Sequence, residues 1–238
     1  MQLNRKFLPE IILVNTQLPE NLGATARGML NFKFDKIRLV KPEFKIDNEK
    51  IIPVSAGAKS VIKKIKTYEY FQDSIKDLNI IIGTSNRQRT IKKNEITFRK
   101  LSSLVVQEKN KIGIVFGPEQ SGLNNDDLSL CDYTLRIETN PSFSSMNLSH
   151  AVTTVCHNLF NLLFTENKKS VNFEVLAKKK TLILFYTILE RALENSNFFN
   201  VKERKKILFE KIKNIFSKNK LTHNEVKILI SIFKKFVE

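Results

Sequence analysis

Five short runs of β-branched and apolar residues, at 11–15, 37–40, 80–83, 112–116 and 133–137, recur along this chain with helical patterns between them. Most are nearly continuous rather than alternating in polarity, as expected for strands covered on both faces. The patterns between them predict helices at 23–33, 56–65, 69–75, 98–107 and 126–131, then a longer one at 148–164. This βα alternation predicts an α/β fold, a parallel sheet with helices on both faces.

The alternation stops near residue 167. A polar stretch at 166–170 (ENKKS) reads as a linker, dividing 1–166 from a small all-α extension at 167–238. Helical patterns there cover 179–194, 202–218 and about 222–237. In the second, Leu208, Ile212, Ile215 and Phe216 share one face at helical spacing. In the third, Thr222 and Glu225 fit a capping box, and Ile228, Leu229, Ile232 and Phe236 form the apolar face. The extension is too short for a generous core. It is expected to form a helical hairpin or bundle, or to pack on another subunit.

Charge is uneven. The chain carries a net charge of +16 over 238 residues. Residues 167–238 hold 17 Lys and Arg against 7 Asp and Glu, whereas residues 1–166 hold 23 against 17. A smaller, more basic part suggests a polyanionic partner, RNA or DNA, reached mainly through the C-terminal helices. A Lys- and Asn-rich composition from an AT-rich genome accounts for part of the same excess. No run of about 18 apolar residues exists and the N-terminus lacks the apolar core of a signal peptide, so a cytoplasmic protein with no membrane span is expected. Cys131 and Cys156 have no motif spacing. His150 and His157 lie seven apart on one helix, but two ligands do not make a metal site, and no metal is expected.

Three separated loops concentrate Gly, Pro, Asn and Ser at the ends of strands or the starts of helices: 15–27 (NTQLPENLGATAR), 116–123 (FGPEQSGL) and 140–148 (NPSFSSMNL). Such places bring backbone N–H groups and small side chains within reach of a ligand. Only one glycine follows the first strand, so the GxGxxG of a dinucleotide site is absent, as is a GxxxxGK[ST] phosphate loop. Ser145 has no GxSxG setting. Small residues around Gly23, Ala24, Ala26 and Gly28 let that helix approach another backbone or a ligand closely. Arg27 is either a surface cation beside a close-packed helix or a fork of donors aimed at phosphate. Arg87 and Arg89, in the loop after the third run, read equally as solvated or phosphate-contacting residues.

These segments resemble a known family. Asn21-Leu22-Gly23-Ala24 with Ala26-Arg27, Phe116-Gly117 with Glu119 and Gly122-Leu123, and Ser145-Met146-Asn147-Leu148 look like the three signature motifs of the SPOUT methyltransferases, in order. Residues 83–90 (GTSNRQRT), Asn140-Pro141 with Ser144-Ser145, and the basic helical C-terminus are similar to a subgroup that methylates ribose 2′-hydroxyls of cytidine or uridine at nucleotide 32, in the tRNA anticodon loop. Met146 stands where leucine is usual, a volume-conserving change, and Pro118 occupies a variable position.

The resemblance implies a trefoil knot in the C-terminal part of the core, with S-adenosylmethionine bound in it at the interface of a homodimer, and tRNA as partner. It implies cofactor contacts from Thr84, Ser85, Asn86, Gly117, Glu119, Ile137, Ser144, Ser145, Met146 and Asn147. It assigns catalysis to Arg27, Ser145 and Asn21, with Arg27, Arg87 and Arg89 facing RNA. Two alternatives stand beside it: a related enzyme acting on rRNA or another tRNA position, and a non-catalytic RNA-binding protein with a vestigial pocket.

Overall fold

The computed structural model describes residues 7–85, 93–164, 175–199, 202–218 and 220–237. In chain order the elements are β1 (Glu10–Val14), α1 (Pro19–Asn31), β2 (Ile37–Val40), α2 (Ile51–Ser55), α3 (Lys59–Ile62), β3 (Lys66–Tyr68), α4 (Phe71–Ile75), β4 (Ile80–Thr84), β5 (Asn94–Glu95) and α5 (Phe98–Val106). There follow β6 (Ile112–Phe116), α6 (Asn125–Ser129), β7 (Tyr133–Leu135), α7 (Leu148–Phe164), α8 (Lys179–Asn195), α9 (Lys202–Lys218) and α10 (His223–Lys234). The strands form one sheet in the order β3-β2-β1-β6-β4-β7-β5, and every described pairing is parallel.

Successive residues of a strand point to opposite faces, and the core divides accordingly. Ile11 and Leu13 of β1, with Ile80 and Ile82 of β4, join a cluster closed by α1, α5 and α7. Ile12 and Val14 of β1, with Ile81 of β4, join a second cluster with Phe71 and Leu128. Both faces are covered, so continuous apolar runs are what the inner strands require.

The five expected strands are present within one or two residues. Two edge strands, β3 and β5, were not expected. They have three and two residues and are largely exposed, so neither needs an apolar run. The helix expected at 56–65 is reduced to the short α3, and α2 precedes it in a stretch where no helix was expected. Ala56 (φ 39°) and Gly57 (φ 93°) lie between them in the left-handed region, which no helix can continue through. The first helix begins earlier than expected, with Pro19 in its first turn, where a missing N–H costs nothing.

Small residues of α1 serve helix packing. A Cβ built on Gly23 would stand 2.3 Å from the Ile51 carbonyl oxygen of α2, and one on Gly28 would stand 2.0 Å from Thr153 Oγ1 of α7. The close approach expected of this helix is therefore made to α2 and α7.

The C-terminal helices cover the second face of their own chain's sheet. Ala177, Phe185, Leu189, Phe209 and Val226 belong to the second core cluster. Polar ties fix the docking: Lys179 Nζ donates to Asp132 Oδ1 at 2.5 Å, with both side chains buried. Asp132 Oδ2 accepts from the Ile81 amide at 2.7 Å. Lys93 Nζ reaches Ser217 Oγ of α9 at 2.6 Å. The capping box of Thr222 and Glu225 is present at the start of α10.

The expected apolar faces of α9 and α10 need correcting. Phe209, Ile212 and Phe216 turn inward on α9, while Leu208 and Ile215 are exposed. On α10, Val226, Leu229, Ile230 and Phe233 pack inward, and Ile228 and Ile232 are exposed, as is Phe236 just beyond the end of the helix. Both helices carry apolar residues around much of their circumference, so spacing offers two stripes and packing selects one. No described helix is long and apolar enough to cross a membrane.

Candidate active site

The C-terminal ends of β4, β6 and β7 open onto one cleft of about 260 Å³. That is close to the lower end of the roughly 300–1,000 Å³ typical of small-molecule sites, and strand C-termini are where open α/β sheets bind ligands. Thr84 and Ser85 enter from β4. Phe116, Gly117, Pro118 and Glu119, with Gly122 and Leu123, enter from β6 and its loop. Leu135, Ile137 and Thr139 follow from β7. Ser144, Ser145 and Met146 precede Leu148 and Ala151 of α7.

Backbone geometry shapes this cleft. A Cβ on Gly117 would stand 2.2 Å from the Leu123 amide nitrogen and 2.4 Å from the Gly122 carbonyl carbon. The loop folds back on itself, with the Gly122 N–H donating to the Pro118 carbonyl at 2.8 Å. Adjacent strand ends are stitched together. Thr84 Oγ1 donates to the Val115 carbonyl at 2.9 Å, and the Ser85 N–H to the Leu135 carbonyl at 3.2 Å.

One side-chain bridge joins all three loops. Asn21 Nδ2 donates to Glu119 Oε1 at 2.7 Å. Asn147 Nδ2 donates to Asn21 Oδ1 at 2.9 Å. The second Glu119 oxygen accepts from the Gln17 N–H at 3.3 Å. Asn147 Oδ1 in turn accepts from the Ser149 amide at 2.9 Å and the Ser149 hydroxyl at 2.7 Å, which caps the N-terminus of α7. Asn21 is buried, and both ends of its amide are engaged. Replacing it removes the donor to the half-buried Glu119 carboxylate and the acceptor for Asn147.

Of the expected cofactor residues, Thr84, Ser85, Gly117, Glu119, Ile137, Ser144, Ser145 and Met146 line this one cleft. Asn147 does not line it; its side chain is spent on Asn21 and Ser149. Asn86, Arg87 and Arg89 lie outside the described residues. Asn21 sits behind the cleft as a brace. Arg27 is exposed on α1 and is not part of the lining. It stands six residues beyond Asn21, about 9 Å along the helix axis.

Leu135, Thr139 and Ala151 complete the lining without having been singled out. Leu135 and Thr139 flank the expected Ile137, and Ala151 sits one turn into α7. Only their strand-end and helix-start positions could have signalled them.

The lining contains one charged side chain among the described residues, Glu119, and no Lys or Arg. A wall of neutral hydroxyls, apolar side chains and one carboxylate is poorly suited to a polyphosphate. It suits a ligand with an aromatic or apolar body and a cationic centre. S-adenosylmethionine has both, in its adenine and its sulfonium, so the donor set fits that cofactor. Thiol chemistry is not available here. Burial pushes the Cys131 thiol up to about 12 and raises Cys156 further, and neither lines the cleft. No group of three or more potential metal ligands occurs among the described residues.

Comparison with known proteins agrees with this geometry. The family model described as the SpoU rRNA Methylase family matches residues 9–157. An uncharacterized tRNA/rRNA methyltransferase of Haemophilus influenzae is 32% identical over 223 residues, covering 92% of this chain and 90% of its own. The tRNA (cytidine-2′-O-)-methyltransferase TrmJ of Methanocaldococcus jannaschii is 31% identical over 228 residues, covering 94% and 97%. The crystal structure of TrmJ from Z. mobilis ZM4 superposes with a TM-score of 0.88 at 28% identity, covering 97% of this chain and all of that one. With the parallel sheet, the strand-end cleft and its lining, these matches show that the chain belongs to the SpoU rRNA Methylase family and is an RNA methyltransferase.

Proposed function

We propose that this enzyme methylates the ribose 2′-hydroxyl of nucleotide 32 in the tRNA anticodon loop, on cytidine, uridine or both. The observation that carries the reading is the bridge from Glu119 through Asn21 to Asn147, which fixes all three expected motifs around one cleft. Relatives named as tRNA 2′-O-methyltransferases, aligned over nearly the whole chain, support the substrate class. The C-terminal helices add a basic surface. Lys180, Arg191, Arg204, Lys211, Lys227 and Lys234 are all exposed on them.

In this reading Thr84, Ser85, Asn86, Ile137, Ser144, Ser145 and Met146 contact the cofactor, and Glu119 and Asn147 hold the walls in place. S-adenosylmethionine, when bound, supplies an electrophilic methyl group. The protein must align the ribose oxygen with that methyl and ease loss of the hydroxyl proton. Ser145, exposed at the rim, positions the hydroxyl. Arginine stays protonated in proteins, so Arg27 acts by stabilising the developing oxyanion and holding an adjacent phosphate. Arg87 and Arg89 extend the phosphate contacts.

The reading includes the trefoil knot, a homodimer with the cofactor site at its interface, a cytoplasmic location, and a division into a methyltransferase part (1–166) and an RNA-gripping extension (167–238). A homodimer gives an exposed Arg27 a cleft to face.

The test is transfer of labelled methyl from S-adenosylmethionine to unmodified tRNA and to rRNA fragments. Label in tRNA supports the reading. Label in rRNA alone favours the second reading, to which the family description points. No transfer to either supports a vestigial pocket.

A further inference from the structure

Phe143 has the most exposed side chain among the described large hydrophobic residues, at 79%. Its exposure is built in. The Phe143 amide donates to the Asn140 carbonyl at 2.9 Å, and the Ser142 amide donates to Asn140 Oδ1 at 3.0 Å. Asn140 thus closes a turn through Pro141 that turns the ring away from the core. The residues on either side of this turn, Thr139 and Ser144, both line the cofactor cleft. Phe143 does not itself line the cleft; it sits in a turn whose two flanking residues do.

Methyl transfer to a ribose leaves the base unused by the chemistry. An enzyme that presents one ribose to a cleft must still hold that stretch of RNA, and unstacked loop bases are commonly held on aromatic side chains. We propose that Phe143 is a stacking platform for a nucleobase of the target loop, a positioning residue that sets the ribose at the cleft mouth. The inference deepens the reading above and rests on RNA being the substrate. A single-stranded loop fits the feature better than a duplex, whose bases are not open to stacking. The net charge of +16 draws the polyanion to the surface.

The chain contains no tryptophan, so Phe143→Trp installs a unique fluorophore in this turn. We expect this variant to retain turnover and its emission to be quenched when RNA is added. Phe143→Ala and Phe143→Leu should both raise the KM for RNA by about tenfold or more, on the scale of lost base–aromatic stacking. Neither should change the dissociation constant for S-adenosylmethionine or the sedimentation coefficient.

Rescue by leucine would show a generic apolar contact and overturn the proposal. Unchanged KM in Phe143→Ala, or no quenching in Phe143→Trp, would also overturn it. A fall in sedimentation coefficient would assign the ring to a subunit contact instead. The assays use whichever RNA the wild-type enzyme methylates. Failure of tRNA as substrate is thereby separated from failure of stacking.

Discussion

Two concavities of this molecule are built on opposite principles. The cleft at the ends of β4, β6 and β7 has one charged lining residue, Glu119. A larger groove lies between α4, α6, α8 and α9, where Asp126, Asp127, Glu190, Glu210, Lys205, Lys206 and Lys213 crowd together. In the groove two of the lysines pair with carboxylates. Lys206 pairs with Asp126 at 2.8 Å, and Lys205 pairs with Glu190 at 3.0 Å and with Glu194. In the cleft the neutral wall is left open to a ligand, and the one carboxylate is clamped from outside by Asn21 and the Gln17 amide. A high density of charge thus marks where the extension docks. A low density, with glycines and strand ends, marks where a ligand goes.

If the extension docks through charge pairing, the buried pair of Lys179 and Asp132, which lies outside the groove, should be the most costly to break. Lys179→Ala leaves Asp132 without its cation in a site where both side chains are nearly inaccessible. The expected loss is about 3–5 kcal/mol, read from urea unfolding. A loss under 1 kcal/mol would mean that the extension docks through its apolar face alone.

On the cleft side the complementary test separates binding from chemistry. Arg27→Ala should lower kcat on the order of 10²–10³-fold, the scale for removing one oxyanion-stabilising donor. The calorimetric affinity for S-adenosylmethionine should be unchanged, because Arg27 is not part of the lining. A large fall in cofactor affinity would place the arginine in the pocket after all.

A smaller effect is expected from Gly23→Ala. The added Cβ meets the Ile51 carbonyl oxygen at 2.3 Å, a backbone atom that cannot swing aside. Overpacking of this kind costs about 1–3 kcal/mol, and it should shift α1 against α2, moving Asn21. Thermal denaturation gives the stability loss, and methyl transfer should fall with it.

The smallest effect concerns pH. Burial, then the neighbouring Asp126, pushes the Asp127 carboxyl up to about 6 from an ordinary value of 3.8. The folded state therefore favours the protonated acid. This contribution is present below about pH 4 and is lost as pH rises to about 6. Asp127→Asn should flatten the dependence of the unfolding midpoint on pH in that window; an unaltered slope would mean that another group is responsible.

How much of this was legible in the sequence follows the same division. Inner strands must be apolar on both faces, so β1, β2, β4, β6 and β7 announced themselves, while β3 and β5 at the edges did not. The cleft was legible because ligand-facing backbone demands particular residue types, as at Gly117. The brace on Asn21 was only half visible: its motif was recognisable, but its partners lie 98 and 126 residues away. The docking of the extension was not legible, because Lys179 and Asp132 meet only through the fold. Nor was the inward stripe of α10, where Ile228 and Ile230 were equally eligible by composition.

The account stands on a ribose 2′-hydroxyl at nucleotide 32 as the methyl acceptor. The most direct measurement compares labelled methyl transfer to two synthetic tRNAs, identical except that one carries 2′-deoxyribose at that nucleotide. The account predicts incorporation into the ribose form and none into the deoxy form. Equal labelling of both would contradict it.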